Sequence, residues 1–317
     1  LLVGGNGAGK TSLLEAIAYL STLRSFRGAP DQALIAEGAA SAVVRSGVVS
    51  GERDRTIEME IPRSGPRRVQ VDKSRLGRTT DLLGVIRVVS FLPEDLDVVK
   101  RGPSERRDLL DDLAVQLWPA SHLDQREYER ALRQRNAFLR SGQTDPVTLG
   151  VWDSRLSQAG GKVLARRARA MDLLDPLLGD AYASVAGSDS RAGLAYRPSW
   201  GSGPFETLSA GEYASILDEA LEAARRADYE RRVTTVGPHR DEPGFSLDGG
   251  DARIRASQGE QRTVALATKL AAHRAVADLV GEMPVLLLDD VFSELDPERS
   301  AALARSLPPD TQTLITS

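Results

Sequence analysis

The chain of 317 residues contains no cysteine. That absence excludes a disulfide framework and a thiolate metal site, and it fits a reducing compartment without proving one. Long apolar runs are also missing, since stretches such as 285–288 are far shorter than the roughly 20 residues that cross a bilayer. We therefore expect a soluble body.

Lysine is scarce as well. Lysine and arginine together number 41, of which only five are lysine, and the formal net charge is −4. The net charge does not indicate a nucleic-acid-binding protein. Arginine is nevertheless a better planar hydrogen-bond donor to phosphate than lysine. An arginine-rich composition also follows from genome composition alone, and both explanations stay open.

The length predicts two domains. The chain begins within an apolar segment at Leu1 and ends at Ser317 directly after another one. Both ends therefore look cut, and a targeting segment upstream of Leu1 would be invisible.

The first twelve residues carry the pattern G-x-x-x-x-G-K-T, from Gly4 to Thr11. Apolar residues precede it, as at the end of a buried strand, and a helical pattern follows, which is the context that a phosphate loop requires. In such a loop backbone N–H groups point at phosphate oxygens, Lys10 reaches the β- and γ-phosphates of ATP, and the Thr11 hydroxyl binds Mg²⁺. The simpler interpretation is a glycine-rich turn between a strand and a helix. The predicted nucleotide contacts are Gly4, Gly5, Asn6, Gly7, Ala8, Gly9, Lys10, Thr11 and Ser12.

Short strands follow the first helix. Alternating apolar residues predict strands within 42–71, which form an antiparallel β-layer beside the nucleotide site, and a further strand is expected at 85–92. From 102 to 232 the periodicity is helical, with Ser121 and Ser209 as expected helix caps. This stretch has no sustained heptad array, which excludes an extended coiled coil.

Strands return after the helical stretch. We expect strands at 233–236, 245–247 and 252–254, a helix from Ser257 to about Val280, and strands at 285–288 and 313–315. The nucleotide fold thus begins before the helical stretch and is completed after it. The predicted domains are an ATPase head formed by 1–98 and 233–317, and an inserted helical arm formed by 99–232.

The apolar strand at 285–288 ends in two aspartates. The carboxyl ends of parallel strands are where ligands bind in open α/β sheets, so Asp289 is predicted to hold Mg²⁺ opposite Thr11. Asp290 is the candidate general base for the attacking water, and Lys10 is the other candidate catalytic residue. The simpler interpretation is that one or both aspartates cap the following turn.

The stretch Ser257-Gln258-Gly259-Glu260 matches a capping box, so an ordinary helix start is one interpretation. A helix start that offers a serine hydroxyl and a glycine N–H is also an anion site. The stretch resembles the signature of ABC-type ATPases, altered from the common L-S-G-G-Q. The resemblance implies that these four residues bind the γ-phosphate held by a second subunit.

The stretch from Ser293 to Pro297 resembles the D-loop of the same class, which crosses a dimer interface. The resemblance makes Asp296 a predicted contact at the nucleotide site. Asp296 and Pro297 also suit the start of a helix, and both interpretations can hold at once.

Seven stretches in this order resemble the RecF family of bacterial recombination and repair ATPases, which is related to the SMC and Rad50 heads. The nucleotide motifs alone indicate only an ABC-type ATPase. The Arg-Gln-Arg-Asn and Gly-Pro-His-Arg-Asp sequences single out RecF. The stretches are Gly4–Thr11, Phe91–Leu96, Arg106–Asp111, Tyr128–Asn136, Val236–Asp241, Ser257–Arg262 and Leu288–Asp296.

The resemblance implies an α/β fold: a P-loop ABC-type ATPase head with an antiparallel β-layer and an inserted α-helical arm domain. It implies ATP and Mg²⁺ as cofactors, slow hydrolysis that acts as a conformational switch, and a homodimer that forms on ATP. It further implies binding to gapped DNA or to single-strand/double-strand junctions. RecR and RecO are the implied partners in loading RecA. The implied roles are in DNA replication and the SOS response, at a cytoplasmic, nucleoid-associated location. The family's adenine-stacking and switch residues are expected beyond the two ends.

Two other classes remain to be separated from this one. A transporter-type nucleotide-binding subunit shares the motifs but normally lacks a helical insertion of this size. A Rad50-like head would need a coiled coil of hundreds of residues, which the length excludes.

The DNA surface has no sharp motif, because a protein that binds phosphate without reading bases needs only a basic track. Each candidate is equally compatible with an ordinary solvated or ion-paired face. His239, beside Arg240, is a candidate catalytic residue, although a structural histidine that joins the two lobes is the favoured interpretation. The candidates for DNA contact are Arg24, Arg27, Arg63, Arg67, Arg68 and the helical row Lys162, Arg166 and Arg169.

Overall fold

The computed structural model describes residues 1–5, 7–50, 53–201 and 205–317, without the side chains of residues 50 and 53. Asn6, one of the predicted loop contacts, therefore lies outside the described residues. The chain forms two compact units. The first consists of Leu1–Leu96 and Leu266–Ser317, and the second of Asp97–Ala265.

Helices and strands are numbered in chain order. The strands are β1 (Ser41–Ser50), β2 (Arg53–Pro62), β3 (Arg68–Val71), β4 (Ser74–Arg75), β5 (Val88–Phe91), β6 (Ala192–Arg197), β7 (Glu242–Leu247), β8 (Gly250–Asp251), β9 (Val285–Leu288) and β10 (Thr313–Ile315). The α-helices are α1 (Lys10–Thr22), α2 (Pro103–Leu117), α3 (Ser121–Arg140), α4 (Pro146–Ala186), α5 (Ala210–Arg231), α6 (Ala252–Arg255), α7 (Gln258–Val280) and α8 (Pro297–Ser306).

The first unit contains a parallel sheet in the order β10-β9-β5. β9 lies in the middle, which explains its unbroken apolar sequence, because a central parallel strand is buried on both faces. Leu2 extends the sheet through a parallel bridge to Thr316. The predicted buried strand before the phosphate loop is thus reduced to this bridge, and the neighbouring Leu1 and Val3 are exposed.

The second sheet of this unit is antiparallel, in the order β1-β2-β3-β4, and confirms the predicted β-layer. Side chains on a strand point alternately to the two faces of its sheet. Here the apolar set is buried, and the alternate positions carry cross-strand ion pairs such as Arg45–Glu58. The buried set is Ile57, Met59, Ile61, Val69 and Val71.

The second unit is built on the helices α2 to α5. The 41-residue α4 contacts α3 and α5, and two glycines allow the close approach. A Cβ on Gly161 would clash with the carbonyl oxygen of Ala210, and one on Gly160 would clash with the side chain of Leu217. Larger residues would therefore separate these helices.

A short antiparallel sheet, β6-β7-β8, also belongs to the second unit. β6 lies within the stretch predicted to be wholly helical, and that prediction is wrong there because β6 pairs with β7, which is distant in sequence. The same pairing shifts the second boundary between the two units relative to the prediction. The chain passes from one compact unit to the other at Leu96/Asp97 and Ala265/Leu266, whereas the predicted boundaries are 98/99 and 232/233.

Three local predictions are corrected. Residues 233–236 form no strand, because the backbone N–H groups of Thr234 and Thr235 donate to the side chains of Asn136 and Asp228. Residues 252–254 lie in α6 rather than a strand, because the Asp251 carboxylate accepts the N–H of Arg253 and caps the turn. Ser121 lies inside α3 and makes no capping hydrogen bond.

Candidate nucleotide-binding site

The phosphate loop leads directly into α1, which begins at Lys10. Gly7 and Gly9 have φ angles of 83° and 88°, a left-handed conformation that glycine adopts without steric cost. The ammonium of Lys10 folds back over the loop and donates to the carbonyl oxygens of Gly4 and Gly5. Lys10 therefore already lies over the position where such a loop receives phosphate.

Thr11 and Asp289 meet at the carboxyl end of β9. The Thr11 hydroxyl donates a 3.0 Å hydrogen bond to Oδ1 of Asp289, whose side chain is buried. A carboxylate beside a threonine hydroxyl at this edge is an oxygen donor set that suits Mg²⁺, which takes one or two protein oxygens together with phosphates. The predicted juxtaposition of these two residues is present.

Thr316 completes this arrangement, and the sequence analysis did not single it out. Its hydroxyl donates to Asp289 Oδ1 at 2.8 Å and accepts the backbone N–H of Asp290 at 2.9 Å. Thr316 follows β10, the neighbour of β9 in the sheet. The available signal was a threonine placed directly after a strand whose carboxyl end lies at the same edge.

Asp290 has a left-handed backbone conformation, with φ 52° and ψ 22°. It is exposed, and its side chain makes no capping bond to the following turn at 291–294. Asp289 is likewise occupied by Thr11 and Thr316 rather than by that turn. The simpler interpretation of the two aspartates as turn caps therefore finds no support in the hydrogen bonds. An open depression of about 420 Å³ adjoins Asp290.

The signature stretch lies in the second unit and forms the start of α7. The N–H of Ser257 donates to the Glu260 carboxylate at 2.7 Å, and the N–H of Glu260 donates to Ser257 Oγ at 3.3 Å. This capping box holds the pKa of Glu260 below its usual range through those hydrogen bonds. Because Ser257 Oγ acts here only as an acceptor, its hydroxyl proton stays available to an anion.

Gln261 holds the segment that precedes the signature stretch in place. Its buried side-chain amide donates to three carbonyl oxygens at the end of α6 and just beyond it. The end of a helix leaves carbonyls without intrahelical partners, and Gln261 supplies a donor there, although the Ala252 oxygen also accepts the backbone N–H of Ala256. The residue thereby holds the segment before Ser257 against the first turn of α7. The acceptors are Ala252, Arg253 and Ala256, at 3.2, 3.3 and 2.9 Å.

The D-loop-like stretch starts α8. The Asp296 carboxylate accepts the backbone N–H of Arg299 at 2.9 Å and also its guanidinium, and Pro297 occupies the first turn. These bonds lower the pKa of Asp296. The helix-start interpretation therefore holds, and it leaves the predicted nucleotide contact of Asp296 as a proposal.

Asp95, at the carboxyl end of β5, is held from two sides. It accepts the backbone N–H of Leu92 at 2.8 Å and forms a 2.9 Å ion pair with Lys269, whose ammonium also donates to the Ser90 carbonyl oxygen. The Phe91–Leu96 stretch thus forms a fixed turn next to the strand that carries Asp289.

Arg67 is a structural residue rather than a free DNA contact. Its guanidinium donates twice to the Asp31 carboxylate, at 2.6 and 2.8 Å, and once to the Leu23 carbonyl oxygen, and it lies over the ring of Tyr19. Burial raises the pKa of Asp31, but the hydrogen bonds from Arg67 and Tyr19 outweigh it and lower that pKa.

Most other DNA candidates form surface contacts. Arg166 and Arg169 both lie over the ring of Trp118, and Arg166 also faces Asp124. The predicted helical row is therefore present, but two of its three members are ion-paired. The remaining contacts are Arg27–Glu15, Arg68–Glu60, Lys162–Glu127, and Arg63 with the carbonyl oxygens of Ala36 and Ala39.

Comparison with known proteins decides the family. Residues 1–317 match the family described as RecF/RecN/SMC N terminal domain. The DNA replication and repair protein RecF of Acidothermus cellulolyticus is 40% identical over 325 residues, which cover 100% of this chain and 86% of that protein. The RecF protein of Myxococcus xanthus is 40% identical and covers 96% of this chain and 80% of its own length. The chain belongs to the RecF family.

Solved structures agree with RecF membership. The recombination mediator protein RecF-ATPrS in the RecFOR pathway superposes with a TM-score of 0.91 at 31% identity, over 99% of this chain and 85% of that one. An SMC head bound to the C-terminal winged-helix domain of ScpA, at 15% identity and a TM-score of 0.51, shows the fold alone. The predicted ABC-type ATPase head with a β-layer and helical arm is confirmed.

The stretches that single out RecF form a buried polar network in the second unit. Arg135 is fully buried and donates to Asp153 at 2.7 Å, Asp228 at 2.6 Å and Thr234 at 2.9 Å. Asn136, the next residue, accepts the N–H and the hydroxyl of Thr234. The Arg-Gln-Arg-Asn sequence therefore joins α3 to α4 and α5 and to the loop after α5.

Arg167 provides the second centre of this network. It forms a bidentate pair with Asp111 at 2.7 and 2.8 Å and donates to Tyr196 and to the Pro238 carbonyl oxygen. Tyr196 in turn donates to Asp241 at 2.7 Å. The Arg106–Asp111 and Val236–Asp241 stretches are thus packed on the same buried arginine.

His239 is structural, as predicted, but its hydrogen bonds go to Tyr128 and the Thr234 carbonyl oxygen, both in the second unit. The histidine therefore joins elements of the arm-containing unit. Burial lowers its pKa to about 4, and the nearby Arg240 acts in the same direction.

Proposed function

We propose that this RecF-family chain is an ATP-dependent DNA-binding protein of DNA repair and recombination, in which slow ATP hydrolysis acts as a conformational switch. The proposed site residues are those of the phosphate loop, Asp289 and Asp290 from one copy, and the signature stretch from a second copy. Asp296 is proposed to lie at the interface between the two copies.

The observation that carries this proposal is the contact between Thr11 and Asp289 at 3.0 Å. It places a hydroxyl and a carboxylate at the start of α1, where N–H groups and the helix dipole favour phosphate. When bound, Mg²⁺ would neutralise charge on the β- and γ-phosphates. Thr11 and Asp289 would hold it, and Lys10 would move from the Gly4 and Gly5 carbonyls to the phosphates.

Hydrolysis requires a water in line with the γ-phosphate. We assign Asp290 as the base that accepts a proton from this water as its oxygen attacks phosphorus and the bond to the ADP oxygen breaks. The hydrogen bond from the Asp290 N–H to Thr316 orients this residue, and its carboxylate makes no capping bond that would have to be broken.

The second copy is proposed to supply Ser257 and Gly259. Closure would bring the free hydroxyl proton of Ser257 and the N–H groups at the start of α7 to the γ-phosphate. Two ATP molecules would then be shared between two chains, so ATP binding would close the dimer and hydrolysis would open it.

The DNA role rests on the family relationship, since related RecF proteins are described as DNA replication and repair proteins and as recombination mediators in the RecFOR pathway. We propose binding to gapped DNA or single-strand/double-strand junctions, with RecR, RecO and RecA as partners in the cytoplasm. Among the described residues no helix combines the length and apolar character that crossing a bilayer requires.

Sedimentation of the full chain, with and without ATP and gapped DNA, tests the proposal. Asp290→Asn should slow turnover and form a stable dimer on ATP, whereas Lys10→Ala should remain monomeric and lose ATP-dependent DNA affinity. Lys100→Ala is the control, because the ammonium of this lysine forms a 3.9 Å surface ion pair with the half-exposed Asp97. A monomeric Asp290→Asn protein at saturating ATP would contradict the proposed ATP-dependent dimer.

The molecule that stimulates the ATPase activity distinguishes the proposed repair function from that of a transporter-type subunit. Stimulation of ATPase activity by gapped DNA supports the repair function. An ATPase indifferent to DNA but stimulated by a membrane partner would support the transporter class.

A further inference from the structure

The turn that leads into the signature is basic and apolar. Arg253, Ile254 and Arg255, named here the basic turn, are all exposed, and Ile254 is 79% exposed. In a helical turn, residues one and two apart do not share a face, so the arginines project on either side of the isoleucine. Within the described part of the chain, neither arginine is ion-paired.

The basic turn is held in place. Gln261 binds the carbonyl oxygens of Ala252, Arg253 and Ala256, and Asp251 caps the turn through the Arg253 N–H. The nearby carboxylates are already engaged, since Asp251 also contacts Arg197 and Glu260 accepts the Ser257 N–H. The two arginines are therefore exposed on a fixed element, with the side chain of Arg255 passing over Gly250.

A second stretch has the opposite charge. Residues 289–298, named here the acidic segment, contain five carboxylates and neither lysine nor arginine. Asp289 and Asp290 are assigned to the phosphate site, Asp296 is paired with Arg299, and Glu294 and Glu298 are exposed. Glu298 has no ion pair within the residues that the structure describes, and it follows Pro297 in the first turn of α8.

We infer that the basic turn of one copy docks on the acidic segment of a second copy when the ATP-bound dimer closes. This inference rests on the proposed dimer and names the contact that stabilises it. Arg253 precedes Ser257 by four residues, which span at most about 14 Å. The acidic segment begins at Asp289, at the phosphates that Ser257 of the other copy would reach, so closure brings both stretches together.

Electrostatics favours a second copy of this chain as the partner of the basic turn. Each copy carries a net charge of −4, so two copies repel unless opposite charges meet locally. Opposed patches raise the association rate and select the orientation of docking. The exposed Ile254 adds apolar area at the centre of the basic turn, which a phosphate backbone would not match.

Charge reversal tests the contact. In the Asp290→Asn background, Arg253→Glu with Arg255→Glu should weaken ATP-dependent dimerisation about tenfold or more at low salt and invert its salt dependence, because salt then screens a repulsion. Glu294→Arg with Glu298→Arg should have the same effect. The chain that carries all four reversals should regain wild-type dimerisation within about threefold, because the opposite charges again face each other.

The matched control is Arg126→Glu with Arg130→Glu, which changes the charge equally at two exposed positions of α3. Retained binding of a fluorescent ATP analogue shows that each variant is folded, and Arg253→Gln with Arg255→Gln provides a milder version.

A reversal that leaves dimerisation unchanged, or four reversals that are no better than two, overturns the inference. Loss of DNA affinity with normal dimerisation would instead identify the basic turn as a DNA contact. A wild-type chain that never dimerises on ATP defeats the proposed function itself.

Discussion

Thr11 donates its hydroxyl hydrogen bond to Asp289, a residue 278 positions further along the chain. The first helix after the phosphate loop is thereby joined to the central strand of the parallel sheet. Thr316 donates to the same carboxylate oxygen, so the two threonine hydroxyls orient one buried aspartate.

Thr316→Val should lower the rate of ATP hydrolysis about 10- to 100-fold while ATP affinity changes little. The substitution removes the hydroxyl that orients both aspartates, and it leaves the Asp290 N–H without its acceptor, at a cost of about 1–3 kcal/mol. Steady-state kinetics and nucleotide titration check this. Thr313→Val, at the amino end of the same strand β10 and with a long 3.4 Å hydrogen bond, should retain activity.

Gln261→Met should weaken ATP-dependent dimerisation while the monomer still binds ATP. Methionine has a similar size but cannot donate to the three carbonyl oxygens, so the segment before Ser257 loses its support. Gln158→Met on the exposed face of α4 is the matched control. Parallel loss of ATP binding and dimerisation would contradict a role confined to the signature.

Arg135→Met should destabilise the arm-containing unit by about 3–5 kcal/mol, because it leaves the buried Asp153 and Asp228 without their shared cation. Arg135→Lys should rescue little, since lysine lacks the planar fork. Urea unfolding monitored by circular dichroism measures the loss. Arg133→Met, on the same helix in an exposed pair with Glu129, should change stability by about 0.5 kcal/mol or less.

The stability of the protein should fall as the pH decreases from about 6.5 to 4. The pKa of His239 is lowered by burial to about 4, so in that window the unfolded chain binds the proton and the folded chain does not. The stability contribution is thus present above the unfolded pKa of 6.5 and is lost toward pH 4, by about 3 kcal/mol.

Thermal unfolding across this pH range measures that contribution. His239→Gln should flatten the profile in part only, because burial also lowers the pKa of His273. His122→Gln provides the histidine control. An unchanged profile for His239→Gln would show that His239 titrates normally in the folded protein.

Local sequence was sufficient wherever a segment's neighbours in the chain determine its conformation. β9 and β10 have the predicted bounds, because a short apolar run between turn residues suits a buried parallel strand. Ser209 and Ser257 each close a capping box with the glutamate three residues later, a contact that needs no other part of the fold.

The sequence failed where distant residues decide the backbone's partners. β6 is a strand only because β7, about 50 residues later, accepts its ladder hydrogen bonds. Val233 and its neighbours have strand-forming side chains, yet Asn136 and Asp228 take the backbone N–H groups of Thr234 and Thr235 and hold a loop. Side-chain competition of this kind has no periodic signal.

The sequence by itself determined the candidate motifs of this protein: a predicted phosphate loop, an acidic strand and a signature-like helix start, because each depends on residue types at short, fixed spacings. Only the tertiary structure decided which hydroxyls orient Asp289. It also decided that Arg135 and Arg167 are buried centres of the arm rather than surface cations, and that Arg67 is paired with Asp31. Those outcomes follow from burial, since an arginine removed from water must find carboxylates, and the fold alone determines which carboxylates lie within reach.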